Sequence, residues 1–185
     1  MNNRFQPLNY RDVGDALSLW LDPSPIPRGR LLRGGKLDAM TSAADLGDPR
    51  TILNLRRGQD PQHLAAITSL HVPAANDVEN YDTGRREVRA WLARALAVLA
   101  SPATEWPVYV HCTSGRDRTG IVVGAALLLC DISRSVILEE FLLSNGAERV
   151  AIERALDGIT GQETSLGIDR GHLRATLLGE ARRKP

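Results

Sequence analysis

Residues 107–130 read PVYVHCTSGRDRTGIVVGAALLLC, and no other stretch limits the fold so tightly. Val108, Tyr109 and Val110 are β-prone and run straight into His111 and Cys112. Seven small or charged residues follow, 113–119. From Ile121 to Cys130 the chain is apolar on every side, so a helix there has no face for water. Such a helix must be covered, and a strand handing over to it places it behind a sheet.

The remaining segments fit that frame. Residues 31–35 (LLRGG) read as a short strand and turn, 50–57 as a second strand, and 69–74 as a third that stops at Pro73. Pro61 suits a first helical position, so 61–70 reads as a short helix. Residues 22–30 hold three prolines and form an irregular connection, and 74–83 are a polar loop. In 84–100, Val88, Trp91, Leu92, Ala95, Leu96 and Leu99 recur at helical spacing, which predicts the longest amphipathic helix. A serine-capped helix is expected over 133–146, and one or two more over 147–178 around a glycine-rich break at 158–167. Strands alternating with helices imply an α/β fold: a single domain, with a central, mostly parallel sheet of about four to five strands flanked by helices. The domain is expected to span 1–185, with an N-terminal segment at 1–27, a core at 28–178 and a frayed tail at 179–185.

Composition narrows the chemistry. The 185 residues can bury a real core, and a formal net charge of +1 gives no global basic bias, so no nucleic-acid partner is expected. Arginine outnumbers lysine 21 to 2, which supplies planar donors suited to phosphate or carboxylate. Two cysteines make no disulfide framework, and the N-terminus lacks the apolar core of a signal peptide; the expected location is the cytoplasm. The apolar run 121–130 is too short to span a bilayer. Without C-x-x-C, H-E-x-x-H or clustered histidines, no metal site and no cofactor are expected.

Residues 113–119, lying between a strand end and a helix start, can turn successive N–H groups toward one point, where the helix dipole adds positive potential. That builds an anion site from backbone. Gly115 permits a conformation that other residues resist, and Thr113 and Ser114 keep the loop small. Cys112 opens the loop in that same field, and positive potential favours a thiolate, the reactive form. Arg118, six residues on, can hold two phosphate oxygens with its fork. This arrangement suits in-line attack by Cys112 on phosphorus and hydrolysis of a cysteinyl-phosphate, without a metal. Thr119 could donate its hydroxyl to the sulfur as it leaves. His111 either orients the cysteine backbone or caps the strand. Cys130 lies roughly 18 Å along the helix from Arg118 and reads as core packing.

HCTSGRDRTG resembles the phosphate loop of the cysteine-dependent protein tyrosine phosphatase superfamily. NYRDVG (9–14), RGRLLRGGKLDAMT (28–41) and TILNLR (51–56) are similar to the start of bacterial tyrosine and lipid phosphatases of the secreted mycobacterial type. The resemblance covers most of 9–135 and thins toward the C-terminus, where those relatives carry extra helices that help form a lid. It implies Cys112 as nucleophile, Arg118 as phosphate binder, and 113–116 (Thr113, Ser114, Gly115, Arg116) as the phosphate-binding loop. It leaves two aspartates as general acid. Asp117 occupies the D-R-T place that supplies the donor proposed in bacterial lipid-type and myotubularin-like enzymes. Asp77, in PAAND, occupies the place used by dual-specificity phosphatases. Asp82 is a third choice, and the bland alternatives are turn formation for Asp77 and Asp82 and an arginine ion pair for Asp117.

For Arg116 two readings stand, a pocket-rim cation or a solvated side chain; for Arg56 and Arg57, a substrate contact or a salt bridge. Arg11 and Asp12 read as structural, and Arg85, Arg86, Arg89 and Arg94 as a solvated helix face. Tyr10, Trp20, Tyr81 and Trp106 are the aromatic candidates for a substrate wall. The expected function is hydrolysis of a phosphate monoester: a phosphotyrosine protein, a phosphoinositide, or a small sugar or nucleoside phosphate. The rivals are a phosphate-binding pseudo-enzyme and an RNA 5′-triphosphatase. Retention of both Cys112 and Arg118 argues against the first, and near-neutral charge against the second.

Overall fold

The structure is a computed structural model that describes residues 6–75 and 78–179. Five strands form one sheet: β1 (Arg11–Asp12), β2 (Leu31–Gly34), β3 (Thr51–Asn54), β4 (Thr68–His71) and β5 (Val108–His111). Their spatial order is β1-β2-β5-β3-β4. Every pairing is parallel except β1 with β2. The helices are α1 (Val13–Leu17), α2 (Arg86–Ala100), α3 (Asp117–Leu129), α4 (Arg134–Leu142), α5 (Arg149–Asp157) and α6 (Arg170–Leu178). This is the α/β, mostly parallel architecture that the alternation of segments predicts.

Side-chain alternation divides the core. Leu31, Leu53, Val108 and Val110 face the helical layer, where they meet α2 and α3. Leu32, Ile52 and Tyr109 point the other way, into a smaller cluster with Leu37, Met40, Leu46 and Leu64. The helix α3 lies in the main cluster, with every residue from Arg118 to Leu127 buried. The predicted stripe of α2, from Val88 to Leu99, is its buried face.

β5 is central, and its last residue, His111, stands level with Gly34 of β2 and Asn54 of β3. The following loop therefore opens at the carboxyl end of the sheet, where parallel α/β folds bind ligands.

Four local expectations change. The helix expected over 61–70 is a single 3-10 turn, Gln62–Leu64, and Thr68 to Leu70 belong to β4 instead. β4 ends at His71, before the expected 74. Residues 11–17 form β1 and α1, whose first turn is held by Asp12: its Oδ1 accepts from Gly14 N at 2.8 Å and Asp15 N at 3.3 Å. At α4, Ser133 precedes the helix without a side-chain cap, and its hydroxyl lies 3.3 Å from that of Ser135. Residues 180–185 of the expected frayed tail lie outside the described residues.

Candidate active site

Cys112 follows β5 directly and is 1% exposed. Three carbonyls of the next turn accept bonds from outside the loop. Lys36 N donates to Thr113 O at 3.1 Å. Asn9 Nδ2 donates to Ser114 O at 2.8 Å, and Arg33 Nη2 to Gly115 O at 3.0 Å. In a planar trans peptide the N–H points opposite the carbonyl. The N–H groups of Ser114, Gly115 and Arg116 therefore face inward, toward the space above the cysteine. Gly115 has φ +71°, and a Cβ there would run into the backbone of Gly34 and Gly35. The loop needs glycine both for its backbone conformation and because β2 passes directly beneath it.

Arg118 closes the ring. Its guanidinium is 2% exposed with its residue, and Nη1 donates to Leu55 O at 3.1 Å and Ala74 O at 3.2 Å. Nη2 donates to the hydroxyl of Thr113 at 3.0 Å, at the opposite end of the loop. The strand-end carbonyls fix the plane of the fork. Thr119 is fully buried, and its hydroxyl makes no hydrogen bond among the described residues. A buried hydroxyl of that kind is a donor in reserve at the base of the loop.

His111 Nε2 lies 3.2 Å from Asp60 Oδ1, and Nδ1 lies 3.4 Å from Cys112 O, at the long end of a hydrogen bond. The ring stacks on Tyr109 at 5.6 Å. The backbone-orienting reading of His111 gains a partner, Asp60, that its sequence position did not suggest.

Asp117 begins α3. Arg116 Nε donates to its Oδ1 at 2.9 Å and Nη2 to Oδ2 at 3.2 Å, while Arg116 Nη1 reaches Gly146 O at 3.0 Å. Tyr81 OH donates to Asp117 Oδ1 at 2.6 Å. Tyr81 is 6% exposed and packs edge-on against Phe141. Burial first, then the bond to Asp117, pushes its phenol far above the ordinary range. Arg116 is thus partnered rather than solvated, and Tyr81 engages Asp117 with its hydroxyl instead of only offering a wall. Asp77 lies outside the described residues. Asp82 is held by Arg154 at 2.8 Å.

Other candidates resolve into structure. Arg56 pairs with Asp38 at 2.8 Å, and Lys36 joins the same carboxylate at 2.7 Å. These two hydrogen bonds, Lys36's the larger, hold the Asp38 carboxyl below its ordinary range. Arg89 is not simply solvated: it donates to Thr83 O, Gly158 O, Gln162 and Ser165, tying α2 to the C-terminal segment. Arg85 pairs with Glu79. Trp91 is core, with Nε1 donating to Val72 O at 2.9 Å, and Trp106 lies under Arg30 at 4.7 Å. Cys130 and Cys112 are both buried, and neither is in a disulfide. Among the described residues no cluster of three or more His, Cys, Asp or Glu could hold a metal, and no helix is long and apolar enough to cross a membrane.

Sequence reasoning missed Asn9, Arg33, Asp60 and the Tyr81 hydroxyl. Arg33 left one trace: a charged residue inside the otherwise apolar strand LLRGG.

The model of the tyrosine phosphatase family matches residues 6–177. The OCA1 protein of Mycosarcoma maydis, whose name places it among tyrosine-protein phosphatases, is 44% identical over 59 residues, 32% of this chain; the matched stretch spans 37% of that protein. The core catalytic domain of the PP-IP phosphatase SIW14 from S. cerevisiae, solved with citrate, superposes with a TM-score of 0.62 at 18% identity, covering 88% of this chain and 91% of that one. TpbA of P. aeruginosa gives a TM-score of 0.55 at 22% identity, covering 85% and 93%. At these identities the two structures speak for the fold.

Proposed function

The chain belongs to the tyrosine phosphatase family, and from that premise we propose that it hydrolyses phosphate monoesters through a cysteinyl-phosphate on Cys112. One observation carries the reading: Arg118 reaches back to Thr113 at 3.0 Å, closing a ring of inward N–H groups around the cysteine. In the first step the Cys112 sulfur attacks phosphorus in line, the S–P bond forms, and the bond to the ester oxygen breaks. The N–H groups of 114–116 and the fork of Arg118 take the charge on the equatorial oxygens. Asp117 gives its proton to the departing oxygen. In the second step water attacks the phosphorus, its proton returns to Asp117, and the thiolate leaves with the Thr119 hydroxyl donating to it. The cradle uses backbone and one guanidinium, so the proposed chemistry runs without a metal or cofactor.

The substrate is proposed at the level of class: a phosphorylated protein, lipid or small molecule, met in the cytoplasm. A reducing compartment suits a free nucleophilic thiol. The yeast neighbour, a PP-IP phosphatase, adds PP-IP compounds to the set worth screening. Phosphate release is to be measured across phosphotyrosine and phosphoserine peptides, phosphoinositides, inositol polyphosphates, and sugar and nucleoside phosphates, with 4-nitrophenyl phosphate as reference. Cys112→Ser should abolish turnover of the reference and Arg118→Ala should cut it at least about 10²-fold. Full turnover by Cys112→Ser would end the reading, and loss of wild-type turnover on chelation would end its metal-free part.

A further inference from the structure

Beneath the phosphate loop lies an ion cluster that the proposed chemistry does not use. Arg33, on β2, is 0% exposed. Its Nη1 donates to Glu140 Oε2 at 2.6 Å, and its Nη2 donates to Gly115 O at 3.0 Å. Arg11, on β1, donates from Nε to Glu140 Oε1 at 2.8 Å and from Nη2 to Glu140 O at 2.8 Å. Glu140, on α4, is 1% exposed. Two cations share one anion, so the cluster carries an excess of one positive charge, with Arg33 and Glu140 buried and Arg11 at the edge of the cluster with a side chain 13% exposed. Buried ion clusters of this kind are costly to desolvate, and apolar residues of similar volume often serve stability as well, so stability alone does not explain the cluster.

We propose that Arg33 is a positioning residue for catalysis: it holds the Gly115 carbonyl outward, so that the next N–H faces the phosphate, and it places an uncancelled positive charge under Cys112 that favours the thiolate. The inference rests on Cys112 being the nucleophile and goes beyond that reading to a cation outside the loop.

The electrostatics agree with the geometry. Burial pushes the Arg33 guanidinium down to about 10, while the charges of Glu140 and Cys112 pull it up. The neighbouring charge of Arg11 adds to the lowering, and the guanidinium is still a cation at neutral pH. The other charged and titratable groups around the thiol are accounted for. Arg118 stands on α3, and His111, on β5, is next to Asp60. Arg116 and Asp117 cancel one another at 2.9 Å. Tyr81 and Tyr109 are phenols held well above their ordinary range by burial. Arg118 and the Arg33 cluster are the positive charge left near the sulfur, set against the Asp60 carboxylate beside His111.

The test uses pairs of variants with opposite expected signs. Alkylation of Cys112 by iodoacetamide is followed at that residue by peptide mass, which keeps Cys130 out of the signal. The ratio of the rate at pH 6 to the rate at pH 9 reports the thiolate population and cancels changes in access. Arg33→Met should lower the ratio about three- to tenfold. Glu140→Gln, which removes the anion and leaves both arginines, should raise it. Arg33→Lys should hold the ratio within about twofold while kcat falls, because the fork to Gly115 and Glu140 is lost. A merely structural role predicts similar losses of stability in Arg33→Met and Glu140→Gln, with no shift in the ratio or shifts of one sign; either result overturns the proposal. Should Arg33→Met fail to fold, Arg11→Met, with a side chain 13% exposed, takes its place. It should lower the ratio by less, and an unchanged or raised ratio there counts against the proposal. Since alkylation needs no turnover, a failure here is distinct from a failure of Cys112 as nucleophile, which full activity of Cys112→Ser would show.

Discussion

Asp117 has two jobs that pull against each other. As a general acid it must hold a proton near the ester oxygen, yet Arg116 and Tyr81 both donate to its carboxylate. Tyr81 OH and Arg116 Nε both hold Oδ1, at 2.6 Å and 2.9 Å, while Oδ2 has the longer bond from Arg116 Nη2 at 3.2 Å, so Oδ2 is the oxygen that can exchange its partner for the substrate. Geometry also limits what Arg116 can do: with Nη1 on Gly146 O and Nε on Asp117, its guanidinium braces the acid against the connection between α4 and α5. A proton donor matters in proportion to how poor the leaving group is. Asp117→Asn is therefore expected to lower kcat about 10²-fold on an alkyl phosphate and less than about tenfold on 4-nitrophenyl phosphate. Steady-state rates on the two substrates check this. Equal losses on both would hand the role to another residue, and the same comparison with Asp77→Asn decides whether it is that one.

At the level of elements, the site depends on how closely α4 approaches α3. A Cβ on Gly120, one turn into α3, would sit 2.5 Å from Cε2 of Phe141. Phe141 is 1% exposed and its ring also meets Tyr81 at 6.3 Å, so it has little room to give. Gly120→Ala should gain some helix propensity and still lose about 1–3 kcal/mol through overpacking. Combining it with Phe141→Leu should recover part of that loss, a non-additivity that denaturant unfolding of the four variants would measure. Strict additivity would mean that the ring moves freely. These contacts also mark the boundary of what a sequence discloses. The phosphate loop was legible because one local stretch holds strand, glycine, arginine and apolar helix in register. β1 and α1 were not, since two strand residues and five helical ones are too few for periodicity to show. The segment 61–70 misled because Pro61 marks a helix start equally well for one turn or three, and Thr68 and Ser69 sit in a strand whose side chains are mostly exposed. Arg33 and Glu140 lie 107 residues apart, and no local pattern says that they meet.

At the scale of the whole molecule, the chain's three tyrosines share one property. Tyr10, Tyr81 and Tyr109 are all pushed above the ordinary phenol value of 10.0, in each case chiefly by burial. In the unfolded chain each gives up its proton near that value, while in the folded chain each keeps it. Above it the folded state therefore binds more protons than the unfolded one, and stability falls as pH rises. A fully buried tyrosine such as Tyr109 contributes at most about 1.4 kcal/mol per pH unit to that fall, and half-buried Tyr10 less. Arg33 acts in the opposite sense: its guanidinium is held down to about 10 against an ordinary 12.5, so between those values the unfolded chain binds the extra proton and stability rises. Arg30, also lowered by burial, acts in the same sense as Arg33, and two groups opposing three leave a net loss. Stability should be insensitive to these groups below about pH 9 and fall steadily above about pH 10. Thermal midpoints measured from pH 8 to 11, with tyrosinate absorbance followed in parallel, check the prediction. Tyrosinate should appear together with unfolding. Tyr109→Phe should flatten the alkaline slope, although it also removes the bond from Tyr109 OH to Gly35 O at 2.8 Å and so lowers stability near neutral pH by about 1 kcal/mol. If all three phenols ionise near pH 10 in a chain that is still folded, burial of the tyrosines is not what limits this molecule in alkali.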